Sequence, residues 1–243
     1  MTVPVIRDLA GMDEFLAAEA LQRAVWGADD LPDPADLMMV IQHEGGLVAG
    51  AFNGSDLVGY VFGFPTYDPA IQHSHRLAVH PGMRGGGLAV QLKWYQRQWC
   101  LERGISLVRW TFDPLRRTNA HLNIGRLGAI VRTYHCDYYG EMKGINAGLP
   151  SDRVLAEWFL GDARVAALAA GEAASIPAGT IKRISIATHI DGLLVSDPDL
   201  AMAERLRVRA EMTALLSNGF TVVGFDNASS SYLLALDASP TTA

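Results

Sequence analysis

The chain has 243 residues, 49% of them hydrophobic, with 20 Lys and Arg against 26 Asp and Glu for a net charge of −6. That acidic balance argues against a nucleic-acid footprint, and length and apolar content suffice for one large core or two modest ones. The only cysteines, Cys100 and Cys136, form no CxxC pair, so neither a zinc site nor a disulfide framework is expected. No basic region followed by an apolar stretch opens the chain, and no apolar run approaches the ~18 residues of a membrane helix. The expectation is a cytoplasmic globular protein.

Val3 to Ile6 reads as a short strand. Gly11 to Trp26 reads as a helix, with Phe15, Ala18, Leu21, Ala24 and Val25 at helical spacing. Ala28 to Pro34 is an acidic, proline-containing loop, and Asp36 to Glu44 predicts a second helix with Asp36 at its start. Strands over Leu47 to Phe52 and Leu57 to Phe64 flank Asn53-Gly54-Ser55-Asp56, a hairpin signal because Asn and Gly tolerate positive φ. A third strand, Ser74 to His80, leads into a glycine run. The helix after it, Leu88 to Arg103, carries a stripe of Leu88, Leu92, Tyr95 and Trp99, and Gly104 stops it. Ile105 to Phe112 is the next strand, closed by Asp113-Pro114.

Thr118 to Leu127 predicts a short helix ending at Gly128, and Val131 to Tyr139 a strand. Val154 to Leu160 suits a strand or a helix. Ala163 to Ala178, rich in alanine and glycine, reads as a connector or weak helix. Ile184 to Ile190 reads as a strand. A helix follows, capped by Asp197 with Pro198 at its first position, and runs to Leu216. Phe220 to Phe225 and Tyr232 to Leu236 are the last strands, before a frayed tail.

The stretch from Leu77 to Ala89, LAVHPGMRGGGLA, joins an apolar strand to an amphipathic helix through a Pro-Gly turn, an arginine and three glycines. Glycines just ahead of a helix leave backbone amides at its positive end, a seat for a phosphate. Two familiar phosphate loops fail by register. Gly82 and Gly87 have Walker A spacing, but Leu88 and Ala89 stand where Lys and Ser or Thr are required. Gly85 and Gly87 begin a GxGxxG, but Val90 occupies the third glycine position, and no acid ends the next strand before Asp113.

The register that fits is R-x-x-G-x-A, Arg84 to Ala89. It resembles motif A of the GNAT superfamily of N-acetyltransferases, and the order of elements from Val3 to Leu160 is similar as well. The downstream segment with Asn119, Asn123 and Gly128 strengthens the resemblance, which extends to a branch carrying TFDP followed by NAHLNIGRLGA (Thr111 to Pro114, Asn119 to Ala129). Some members of that branch are associated with N-succinyl amino acid metabolism.

The resemblance implies a mixed central sheet flanked by helices, α/β (α+β) in class. It would form a core over residues 1–160, with a C-terminal β-α-β-β extension over 161–243. It implies acetyl-CoA, coenzyme A or succinyl-CoA as cofactor, held by Leu77, Ala78, Val79, Arg84, Gly85, Gly86, Gly87, Leu88 and Ala89, with Asn119 and Asn123 nearby. Only glycine lets a backbone approach a pyrophosphate so closely, and Arg84 adds a charge-assisted contact. An amide near Val79 would polarise the thioester carbonyl.

Acyl transfer to an amine needs a proton acceptor for the amine and a proton for the leaving thiolate. The family's usual tyrosine falls at Ile124, and no glutamate precedes Leu77. His75 and His73 stand on the motif strand instead, each able to titrate near neutrality. Asp113 at the end of the next strand is a third candidate. Tyr134 and Tyr138, on one strand face by alternation, and His135 on the other, are candidate pocket or core residues. Arg116 and Arg117 could meet a phosphate or a carboxylate. Arg205 and Arg209 share a helix face that Arg207 does not, and the helix is read as solvated. Trp94, Trp99 and Trp110 read as core.

The expected activity is transfer of an acetyl or succinyl group from acyl-CoA to a small amine or amino acid, with no metal, nucleic acid or membrane partner and a homodimer as one option. A non-catalytic acyl-CoA-binding or sensing module is the alternative, kept open by the missing tyrosine and glutamate. A nucleotide-binding protein with an atypical loop is a third reading.

Overall fold

Alternating and helical periodicities in the chain become ten strands and seven α-helices across the described residues of a computed structural model, 4–27, 31–141, 148–173 and 181–236. Residue 3 of the first expected strand, residues 28–30 of the first loop, residues 174–178 of the connector and the SPTTA tail lie outside them. The described residues cluster into two compact units, one ending at Val108 and the other starting at Arg109.

In the first unit, β1 (Val5–Asp8), β2 (Leu47–Asn53), β3 (Asp56–Pro65) and β4 (Ile71–Val79) pair antiparallel in that order. The hairpin between β2 and β3 turns at Gly54, whose φ of 64° requires the freedom expected of it. Helix α1 (Met12–Trp26) starts without a side-chain cap on Gly11; Glu14 instead accepts the Ala10 amide at 2.8 Å and a bidentate pair of bonds from Arg7. Its buried Phe15, Ala18 and Leu21 join Met38 of α2 (Ala35–His43), Tyr60 and Phe62 in one core. Asp36 lies in the first turn of α2 while Pro34 precedes it, one residue earlier than expected.

Helix α3 (Leu88–Leu101) buries Leu88, Leu92 and Trp99 as the stripe predicts, and it also buries Lys93, Gln96 and Cys100. Gly59, paired with Val79, lets this helix close in: a Cβ there would sit 3.1 Å from the Ala78 carbonyl and 3.1 Å from Leu92.

The second unit holds most of β5 (Leu107–Phe112), with β6 (Ile130–His135), β7 (Arg153–Phe159), β8 (Ile181–Ser185), β9 (Phe220–Asp226) and β10 (Ser231–Leu236). Strand β6 pairs with β7 and β9, and β10 with β9 and β8, all antiparallel. Trp158 is fully buried, donates its indole N–H to the Leu127 carbonyl at 2.8 Å and meets Trp110 edge-on. The segment read as a connector or weak helix opens as helix α5 (Ala163–Ala169), capped by Asp162.

Three expectations are corrected. The strand expected over Ile184 to Ile190 ends at Ser185, and Ile190 opens α6 (Ile190–Ser196): Asp191 acidifies its first turn. The strand from Val131 ends at His135, because Asp137 adopts a φ of 46° and turns the chain. The expected helix over Thr118 to Leu127 is α-helical only as α4 (Arg117–Ala120) and widens into a π-turn over His121–Arg126. Helix α7 (Pro198–Ser217) is as predicted, with Asp197 accepting the Leu200 amide at 2.9 Å.

Candidate functional site

The segment between β4 and α3 is built by short-range bonds. His80 follows the strand and its Nδ1 accepts the Gly82 amide at 3.2 Å, while its carbonyl accepts from Met83 at 2.8 Å. These bonds close a single 3-10 turn over Pro81–Met83, with Pro81 in the first position that suits it. Arg84 then leaves in extended conformation, and Gly85 and Gly87 take φ of 84° and 80°. A Cβ at either glycine would meet nothing within 4 Å, so backbone conformation, not packing, demands glycine there.

Helix α3 begins at Leu88 with no side-chain cap, and its first bond runs from Gln91 to the Gly87 carbonyl. First-turn amides need a partner, and the helix dipole makes an anion the preferred one. Arg84 and all three glycines are exposed, whereas Leu88 is buried and Ala89 half-buried. Cation, left-handed glycines and uncapped helix start converge on one open surface. That donor set can hold an anion such as a phosphate.

Leu77, Ala78 and Val79 end β4 ahead of this loop and pair in register with Val61, Tyr60 and Gly59. Further back, the register slips between Phe62 and Gly63, which leaves His75 as the extra residue of a bulge. Bulges re-aim side chains. His75 is exposed, packs against Phe62 and Phe64, and its Nε2 lies 3.1 Å from Asp33. Asp33 is itself fixed by Gln22, fully buried, which bonds its amide and carbonyl, and it also pairs with Arg76 at 3.0 Å. His73 is half-buried and stacks on Phe64 at 4.9 Å. The two histidine rings are 6.1 Å apart.

Behind β4 lies a buried polar chain that hydrophobic spacing does not reveal. Lys93 donates to Ser74 at 3.0 Å and to Gln96 at 2.7 Å; Gln96 donates to Gln72 at 2.6 Å, and the Cys100 thiol reaches Gln72 at 3.4 Å. Burial pushes the Lys93 ammonium down to about 7 and the Cys100 thiol up to about 12.

In the second unit Asp113 follows β5, and both of its oxygens are engaged. One accepts the Leu115 amide at 2.9 Å, and the other accepts from Arg205 at 2.7 Å. It therefore anchors an arginine. The Tyr134 hydroxyl donates to Asp152 at 2.5 Å, and burial holds that phenol protonated well above its usual range. Asp152 also takes a two-pronged bond from Arg209, at 2.8 and 2.6 Å. The shared face of Arg205 and Arg209 thus turns inward to Asp113 and Asp152, against the expectation of a solvated helix. Arg207 bonds Glu204 and Glu211 on another face.

Tyr138 sits in the turn after β6, with its ring 4.9 Å from that of His135, so strand alternation does not apply to it. Asn119 is exposed on α4; Asn123 and Ile124 are buried in the π-turn. The aliphatic Ile124 offers no proton there. Arg117 donates to the Asn227 carbonyl at 2.8 Å, and Arg116 pairs with Asp191.

The acetyltransferase (GNAT) family model matches residues 12–123. Among solved structures, the chain is similar to the ribosomal-protein-S18-alanine N-acetyltransferase of Escherichia coli at 16% identity, with a TM-score of 0.54 over 65% of this chain and 94% of that one. An N-acetyltransferase from Staphylococcus aureus Mu50 shares 13% identity, with a TM-score of 0.55 over 65% and 99%. An aminoglycoside 6'-N-acetyltransferase complexed with coenzyme A shares 14%, with a TM-score of 0.52 over 64% and 97%. No curated protein matches the chain. At such identities the likeness is one of fold, a mixed α/β arrangement with a central sheet, flanking helices and further C-terminal elements. The family match covers residues 12–123, less than half of the chain, and strands and helices continue beyond that segment, so what the chain shows is a likeness to the GNAT family in part of its sequence and in its fold.

Proposed function

We propose that the protein is a cytoplasmic coenzyme A-dependent N-acyltransferase that moves an acetyl or succinyl group from acyl-CoA to a small amine or amino acid. The observation that carries this reading is the uncapped start of α3 behind Arg84, with Gly85 and Gly87 both left-handed. Bound acyl-CoA supplies the activated thioester. Arg84 and the first-turn amides would hold its pyrophosphate.

His75 is the base in this reading. It lies about 13 Å back along β4 from Val79. Asp33 orients its ring through Nε2 and leaves Nδ1 to take a proton from the amine, directly or through one water.

A second reading, an acyl-CoA-binding module without turnover, is favoured by Ile124 in the place of the family's tyrosine and by the engaged oxygens of Asp113. Following free thiol while acetyl-CoA or succinyl-CoA is incubated with a panel of amines and amino acids separates the two. Thiol release that depends on the amine supports the transferase. Tight CoA binding with no release on any amine supports the binding module, and no CoA binding overturns both.

A further inference from the structure

Within the first unit, strand β4 changes faces midway, and the change brings two side chains to one carboxylate. Up to Ser74 the strand alternates. Gln72 and Ser74 are buried against α3, and His73 lies on the other face with Phe64. Gly63 then pairs with Ser74 and Phe62 with Arg76, which leaves His75 between them. His75 and Arg76 are consecutive, yet both reach Asp33: His75 Nε2 lies 3.1 Å from Oδ1 and Arg76 Nε 3.0 Å from Oδ2. Regular alternation would send them to opposite faces; the bulge puts both on one.

What holds the bulge at this residue lies on the α3 side. Lys93 and Gln96, one helical turn apart, are both buried. Lys93 donates to the Ser74 hydroxyl at 3.0 Å and to Gln96 at 2.7 Å, Ser74 donates to the same Gln96 oxygen at 3.2 Å, and Gln96 donates to Gln72 at 2.6 Å. The two inward residues ahead of the bulge are thereby clamped to a single turn of helix. Strand β3 opposite carries Gly59 and Gly63, and glycine-rich strands specify register weakly. A bulge one residue earlier would pair Gly63 with His75 and turn that imidazole into the slot where the Ser74 hydroxyl now meets Lys93. A buried amine that needs this acceptor selects against the slip.

We infer that Lys93 is a positioning residue for His75: through the Ser74 hydroxyl it fixes the β4 bulge that presents His75 and Arg76 together to Asp33. The consequence for turnover rests on the acyl-transfer reading above, in which His75 is the base. The anchoring of the bulge does not depend on that reading.

Long-range proton–nitrogen correlation spectra of the full chain at about pH 8 read the tautomer of each imidazole without any substrate. His75→Gln assigns the His75 signals. Asp33 accepts from Nε2, so wild-type His75 should show a single tautomer with Nδ1 unprotonated. Lys93→Met and Ser74→Ala should each turn this into the averaged shifts of a free imidazole. His80, whose Nδ1 accepts the Gly82 amide beyond the far end of β4, should keep its own shifts in both. Ser74→Thr keeps the hydroxyl and should keep the wild-type His75 shifts. In turnover on the best amine, Lys93→Met and Ser74→Ala should lower kcat by about tenfold to 10²-fold with the KM for acyl-CoA within about twofold. A His75 ring that keeps its tautomer in either folded variant overturns the inference, as does an equal change at His80, which would mean general loosening. Absence of turnover on any amine counts against the acyl-transfer reading instead, and the spectra then still decide the role of Lys93.

Discussion

Arg205 and Asp113 meet at 2.7 Å although 92 positions separate them, and the arginine side chain is 1% exposed. Buried pairs add little net stability, but removing one partner strands the other charge. Asp113→Asn should therefore lower unfolding free energy by about 3–5 kcal/mol. Adding Arg205→Met to that variant should restore part of the loss. Urea midpoints of the two single variants and the double check this. Additive losses would mean that the two side chains are not energetically coupled.

Lys93 gives stability a pH dependence with a defined sign. Its ammonium is lowered to about 7 in the fold, while an unfolded lysine titrates near its ordinary value of 10.5. Between these values the unfolded chain binds the extra proton, so stability rises with pH above 7; below 7 both states are charged and the burial penalty is fully present. The total is on the order of 3–5 kcal/mol. Cys100 works in the opposite sense above about pH 9, because its thiol is held protonated in the fold up to about 12. The wild-type denaturation midpoint should climb from pH 7 to 9 and then flatten. Lys93→Met should lose the climb, and a variant that keeps the full slope would disprove the assignment.

Gly63 protects the same polar chain. A Cβ at this position would lie 2.7 Å from Gln72 Oε1 and 3.0 Å from Gln96 Nε2. Gly63→Ala should cost about 1–3 kcal/mol through overpacking and should shift the pH at which the Lys93-dependent slope begins. Thermal melts at pH 6 and 8.5 read both effects.

The base assignment separates chemistry from binding. His75→Gln should lower kcat by about 10²–10⁴-fold while leaving CoA affinity within twofold, since general-base contributions fall in that range. Asp33→Asn should give a smaller loss in the same parameter. Steady-state kinetics on the best amine from the thiol-release panel measures this, and an unchanged kcat in His75→Gln would remove His75 from the reaction.

Elements with strong local signals were legible in the sequence. The β2–β3 hairpin follows from Asn53-Gly54, and the start of α7 from Asp197-Pro198. The loop before α3 follows from Arg84 to Gly87, because left-handed glycines and an uncapped helix are properties of a few consecutive residues. What stayed hidden depends on partners distant in the chain. Arg205 and Arg209 look like a solvated helix face until Asp113 and Asp152 meet them. Lys93 falls on the buried side of α3 against hydrophobic spacing, where it donates to Ser74 and Gln96. The spacing of Lys93, Gln96 and Cys100 at i, i+3 and i+7 was the signal available for that chain. The strand expected over Ile184 to Ile190 stops at Ser185, and α6 takes up only its last residue, Ile190.

The central claim is that the loop between β4 and α3 seats a pyrophosphate. Calorimetric titration with CoA and with pantetheine, which lacks that group, tests it in one measurement. CoA should bind at least about 100-fold more tightly than pantetheine, and Arg84→Ala should close that gap by about tenfold or more, as expected for a lost charge-assisted contact. Equal affinity for the two ligands, or a gap that Arg84→Ala leaves intact, would contradict the account.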